Sequence, residues 1–152
     1  MLINSPRRGQ VTVEYGLILL VCVGVLGAVL SYVWSGLGGA ERGEAALEAK
    51  SMAEQLADVL EKAAECDDGT VFKVYIRGRS GSGERRYSVR VEGPTVQDEY
   101  EVVVFGHGVE GRAKFFSGFG VTFDTGNVRV PGRVVIEVHE RDGVKTVVVR
   151  NA

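Results

Sequence analysis

The residue best placed to do chemistry is Glu14. Its carboxylate stands at the mouth of an uncharged run of 23 residues, Tyr15 to Leu37, and a charge at membrane depth is costly enough that it usually has a partner. Arg7 and Arg8 precede it, with Gly9-Gln10 between them. Other reactive side chains are scattered. His107 lies between two glycines and His139 in a segment whose outward set also holds Glu137; two distant histidines without clustered Cys or carboxylate ligands are a weak metal pattern, so no metal and no cofactor are expected. Gly78-Arg79-Ser80-Gly81-Ser82-Gly83 lacks the Gly-Lys-Ser/Thr ending of a phosphate loop and precedes a strand, so it reads as a hairpin loop. No Gly-x-Ser-x-Gly nucleophile motif occurs, and the chain is not expected to be an enzyme.

The element that must position Glu14 is the apolar run itself. At about 1.5 Å of helical rise per residue it spans roughly 35 Å, enough for a hydrocarbon core of about 30 Å. Arg7 and Arg8 before the run, against a mixed Glu41-Arg42 pair after it, orient the N-terminus to the cytoplasm and the bulk of the chain outside. Gly16, Gly24, Gly27 and Ala28 are small residues that let apolar helices approach closely, although membrane helices also tolerate glycine without such packing.

Arg7-Arg8-Gly9-Gln10 followed by Thr12, Glu14-Tyr15 and a long aliphatic run resembles the class III signal peptide of type IV pilins, especially archaeal ones; the glycine-to-glutamate spacing also resembles that of the bacterial Tad/Flp pilins. Thr12 stands where many archaeal members have Ser, and Ile18 where they often have Leu. The resemblance covers about residues 7 to 37 and implies a leader, Met1 to Gly9, removed by a prepilin peptidase between Gly9 and Gln10. Cleavage would leave an α-amine, of ordinary pKa about 7.7 to 8.0, one helical turn before Glu14. In a filament the amine of one subunit would meet Glu14 of its neighbour, setting register more than adding stability. Glu14→Val is then expected to insert normally and assemble poorly. The resemblance further implies a homopolymeric filament, an assembly ATPase and a platform protein as partners.

Beyond the run, 45% hydrophobic and 25% charged residues indicate a folded remainder rather than a disordered one. The net charge is −2, or −4 for a chain without Arg7 and Arg8, with 16 basic against 20 acidic side chains, so there is no basic footprint for nucleic acid. Ser35-Gly36-Leu37-Gly38-Gly39 marks either a kink or short unwound stretch, or a closely packed unbroken helix. From Glu44 to about Glu65 the spacing of Ala49, Met52, Leu56, Val59 and Ala63 predicts an amphipathic helix, with Glu48, Glu54, Asp58, Glu61 and Glu65 as polar interruptions. Asp67-Asp68-Gly69 is expected to end it, Gly69 supplying a left-handed cap. Cys22 and Cys66 would be about 66 Å apart along one helix, far beyond disulfide reach.

From Thr70 the composition turns to valine, aromatics and glycine. Strands are expected near 71–77, 85–92, 99–105, 112–116, 121–123, 127–130, 133–141 and 144–150. Asp142-Gly143 suits a type I′ turn that sets Val138 opposite Val147 and Ile136 opposite Val149, with that face buried. Gly93-Pro94 and Pro131-Gly132 are turns. The run Phe115-Phe116-Ser117-Gly118-Phe119-Gly120-Val121-Thr122-Phe123 reads mainly as core, with Phe119 a contact patch if it lies on an exposed loop.

These readings combine into an α+β subunit: a leader (1–9), an apolar membrane or filament-core helix (10–39), an amphipathic helix (40–69) and an extracytoplasmic antiparallel sheet or small sandwich (70–152). The expected function is structural, as a pilin in an adhesive surface filament, membrane-held before assembly and extracellular afterwards. The alternatives are a single-pass anchored binding module, or a minor pilin or pseudopilin of a secretion system.

Overall fold

A computed structural model describes residues 7–78, 85–95, 97–118 and 120–152, with side chains from Tyr15 onward. The fold is α+β: one long N-terminal helix followed by two sheets. The chain divides into two compact units, Met1–Glu41 and Arg42–Ala152, with the boundary inside helix α1 (Arg7–Ala64).

In the first unit every described side chain is exposed. Gly36, Gly38 and Gly39 are all α-helical, so the unwound alternative for this stretch does not hold.

In the second unit α1 is buried on one side. Ala45, Ala49, Met52, Ala53, Leu56, Ala57, Leu60, Ala63 and Ala64 enter the core. That arc is wider than the single stripe expected from the sequence: Leu60 is fully buried, and Val59 is only half-buried at its margin. The reason is that the helix touches strands of both sheets. Most of the buried positions are alanines, which allow the helix axis to come close to the strands.

The strands are β1 (Val71–Ile76), β2 (Tyr87–Glu92), β3 (Glu99–Gly106), β4 (Val109–Phe116), β5 (Val121–Asp124), β6 (Arg129–Val130), β7 (Gly132–Arg141) and β8 (Val144–Asn151). They form sheets of order β1-β7-β8-β5 and β4-β3-β2-β6. Val138 pairs with Val147 and Ile136 with Val149, all four buried, across a turn in which Asp142 and Gly143 both have positive φ. His107-Gly108 makes the equivalent turn between β3 and β4. Pairing is antiparallel except between β5 and β8, which run parallel. β5 crosses from one sheet to the other between β4 and β6, so no tight hairpin dictates its direction.

Several polar contacts fix the helix. The Gln55 side-chain amide donates to the Arg77 carbonyl oxygen at 3.2 Å and accepts from the Arg77 N–H at 3.1 Å, extending β1 by one pairing. Lys145 Nζ donates to the carbonyls of Ala64 (3.1 Å) and Cys66 (2.8 Å), placing a cation at the helix C-terminus, where orphan carbonyls need donors. The expected glycine cap is corrected here. Helix α1 ends at Ala64, and Gly69, with φ of 80°, turns the chain into β1, its N–H donating to Val138 O.

The phenylalanine-rich stretch divides by strand alternation. Phe115 is buried and stacks on Tyr100 (centroids 5.6 Å apart), while Phe123 meets both rings edge-on at 5.1 and 4.8 Å. Phe116 points outward and is 59% exposed, so it is not core. Phe119 lies outside the described residues, as does most of the glycine-serine loop after Gly78.

The outer face of the second sheet carries a lattice of ion pairs. Arg112 meets Glu92, Glu101 and Glu110; Arg90 meets Glu92; Lys114 meets Glu99. Val103 lies on this face directly between Arg90 and Arg112 in the ladder, yet it is fully buried. Arginine stems are long and apolar enough to cover a neighbour in such a position.

Candidate functional site

The functional motif read from the sequence sits on the first unit of α1. Arg7, Arg8, Gly9, Gln10 and Glu14 fall within the backbone extent of the helix; their side chains lie outside the described residues. The described part begins at Tyr15. From there to Leu37 fifteen large apolar side chains are exposed, Trp34 at 76%. Among the described residues this is one helix long and apolar enough to cross a membrane, and none of its most apolar window is buried inside the chain.

Two patterns on this helix go beyond hydrophobicity. At 3.6 residues per turn, Gly16, Gly24, Gly27 and Ala28 fall within a sector of about 120°. A Cβ added at any of the three glycines would meet nothing within 4 Å, so the sector is open for another surface to approach closely. Tyr15 and the exposed pair Tyr32 and Trp34 lie at opposite ends of the run, separated by about 26 to 29 Å of helix. That spacing is close to a hydrocarbon core of about 30 Å, and aromatic rings of this kind favour the two interfaces. The aromatic ends were legible in the sequence by their spacing, although Glu14 and the glycines are the more conspicuous signals.

A second polar cluster was not anticipated. Glu48, read as a polar interruption of the amphipathic stripe, is 4% exposed. Tyr87 Oη at the start of β2 donates to its Oε2 at 3.1 Å. Gly78 packs so close that an added Cβ would lie 2.8 Å from Glu48 Oε1. The phase of the helix contained the signal: Glu48 is four residues before Met52 and eight before Leu56, on the buried side. Burial pushes the Tyr87 hydroxyl above the ordinary tyrosine pKa, and the hydrogen bond to Glu48 adds to this. The cluster anchors the helix to β2.

The remaining candidates stay apart. His107 sits in the β3–β4 turn with its ring edge-on to Tyr87 (5.5 Å), whereas His139 is on β7, 3.6 Å from Glu137, which is also paired with Arg150. Among the described residues no group of three or more His, Cys, Asp or Glu side chains is arranged to hold a metal ion. Cys66 is half-buried and its Sγ donates to Lys62 O at 3.2 Å; Cys22 is exposed on the apolar helix.

The features that bear on function are thus an exposed apolar helix with an open sector of small residues, and a separate folded unit. No protein-family model matches this chain, and no curated protein or solved structure matches it either.

Proposed function

We propose that the chain is the structural subunit of a type IV pilus-like surface filament. In this reading a prepilin peptidase removes the leader between Gly9 and Gln10. The Tyr15–Leu37 run then holds the subunit in the membrane until an assembly ATPase and platform protein drive its transfer into a helix-packed polymer. The filament would present the β-rich unit at the cell surface, where adhesion is its expected role.

One observation carries the proposal. The fifteen large apolar side chains of Tyr15–Leu37 are all exposed, while the remainder of the chain has its own buried core. At about 1.5 to 3 kcal/mol for each fully buried large apolar side chain, leaving them in water would cost tens of kcal/mol. Lipid meets this need before assembly, and neighbouring helices meet it afterwards. Lipid is as apolar as a helix bundle, so close packing over the Gly16, Gly24, Gly27 and Ala28 sector and pairing of Glu14 with a neighbour's Gln10 amine would select the polymer.

The test is intact mass and N-terminal sequencing of the protein recovered from sheared cell-surface material. A chain beginning at Gln10 and abundant in that fraction is expected. A chain beginning at Met1 and confined to membranes would defeat the filament reading and favour an anchored binding module.

A further inference from the structure

The outer faces of the second unit are electrostatically unlike. On α1, Glu44, Leu47, Ser51, Glu54, Asp58 and Glu61 recur at alternating spacings of three and four, Glu65 follows in the turn just after the helix, and all seven are exposed. This ridge carries five carboxylates and one exposed leucine, with the exposed Lys50 and Lys62 flanking it. Lys50 beside it reaches Glu54 only at 4.0 Å, with both side chains more than half exposed.

The outer face of β1 and β7 has the opposite character. Lys73 stands directly across from Val135, and Tyr75 across from Arg133. These four residues line a groove of about 470 Å³, together with Val74, Val134 and Ala152. Tyr75 is 59% exposed there. Lys73 and Arg133 are exposed and have no carboxylate partner among the described residues, unlike Arg150 on the neighbouring strand, which is committed to Glu137. The groove is therefore apolar in its floor and cationic at its rim.

We propose that the β1–β7 groove of one copy receives the acidic α1 ridge of a second copy of this chain. Leu47 and the helix stem would cover Tyr75 and Val135, while carboxylates of the ridge meet Lys73 and Arg133. The two faces are different surfaces of the same molecule, so the contact is heterologous, and such contacts propagate into rings or open helical polymers instead of stopping at a dimer. The inference deepens the filament reading by naming the surfaces that its folded units would use. Single exposed pairs contribute little and are screened by salt, so the contact is expected to set register and to weaken as ionic strength rises.

The experiment uses the full chain in detergent micelles and measures self-association by sedimentation across a salt series. One variant carries Lys73→Glu with Arg133→Glu, the other Glu54→Lys with Glu61→Lys; all four positions are exposed, and circular dichroism verifies folding. Each variant alone should associate about tenfold more weakly than the parent. Mixing the two should restore association, because each then offers the face that the other lacks. Unchanged association in both variants, or no recovery on mixing folded variants, overturns the proposal. Its failure is separable from that of the filament reading: abundant sheared filaments with inert charge reversals leave the filament standing without this interface. Rescue by mixing with an uncleaved, membrane-confined chain leaves the interface standing without the filament.

Discussion

Glu48 on α1 and Tyr87 at the start of β2 are joined by a buried hydrogen bond of 3.1 Å across 39 residues of sequence. The bond ties the helix to the second sheet, whereas Gln55 and Lys145 tie it to the first. Removing the Tyr87 hydroxyl takes one buried donor from the Glu48 carboxylate, and a hydrogen bond to a charged group contributes about 1.5 to 3 kcal/mol. Tyr87→Phe should therefore lower the unfolding free energy by about that amount in a denaturant titration. Glu48→Ala should cost more, since it also opens a gap beside Gly78. If both variants unfold at the parent's midpoint, the bond contributes nothing.

Helix and sheet approach each other closely at Gly111. A Cβ there would lie 2.6 Å from the Ala49 carbonyl oxygen, and closer still to Ala49 C and Lys50 N, all backbone atoms that cannot rotate away. Gly111→Ala must push β4 off the helix, and overpacking of this kind costs about 1 to 3 kcal/mol or more. Gly118→Ala, where an added Cβ meets nothing within 4 Å, is the matched control and should change stability by less than about 0.5 kcal/mol. Equal melting temperatures for the two variants would show that the helix does not sit tightly on β4.

How far the sequence foretold this arrangement depended on the range of the interaction. Strand positions followed from local composition, and the β7–β8 register followed from Asp142-Gly143 because a two-residue turn leaves one pairing. Other features depend on partners distant in sequence. The β5–β8 parallel pairing joins segments with a sheet crossing between them. The burial of Glu48 depends on Tyr87, and the cap on α1 is Lys145 rather than the nearby Gly69. Gly111 fell just before the strand expected at 112–116, so neither its place inside β4 nor its contact with Ala49 was legible. At the candidate site the sequence supplied Glu14, the apolar span and the small residues. It did not identify which folded surfaces would accompany them.

Two tyrosines make stability depend on alkaline pH. Burial raises the pKa of Tyr87, helped by Glu48, and burial raises that of Tyr100, helped by the nearby Asp98 charge. In the unfolded chain both return to about 10. Below that value both states are protonated and the contribution is complete; above it the unfolded chain loses protons first, so stability falls as pH rises through the folded-state values. Melting temperature should therefore begin to fall above about pH 10. The tyrosinate absorbance of Tyr87 and Tyr100 should appear above the ordinary tyrosine range. Smooth ionisation of all five tyrosines within that range, in a chain that stays folded, would contradict this.

The buried core begins at Ala45, and no described side chain before it is buried. The polar contacts that hold the helix, from Glu48 to Lys145, also fall within Arg42–Ala152. A chain starting at Arg42 thus retains every core residue and loses the exposed apolar run. It should be soluble without detergent and unfold in one cooperative transition. Its melting temperature should lie within a few degrees of that of the full chain in micelles, about the shift expected from a change of 1 kcal/mol or less. The newly exposed helix start at Arg42 lacks a capping side chain, so fraying is expected over its first turn only. Aggregation of the shortened chain, or a broad non-cooperative melt, would mean that the apolar helix contributes to the folded unit and is not simply attached to it.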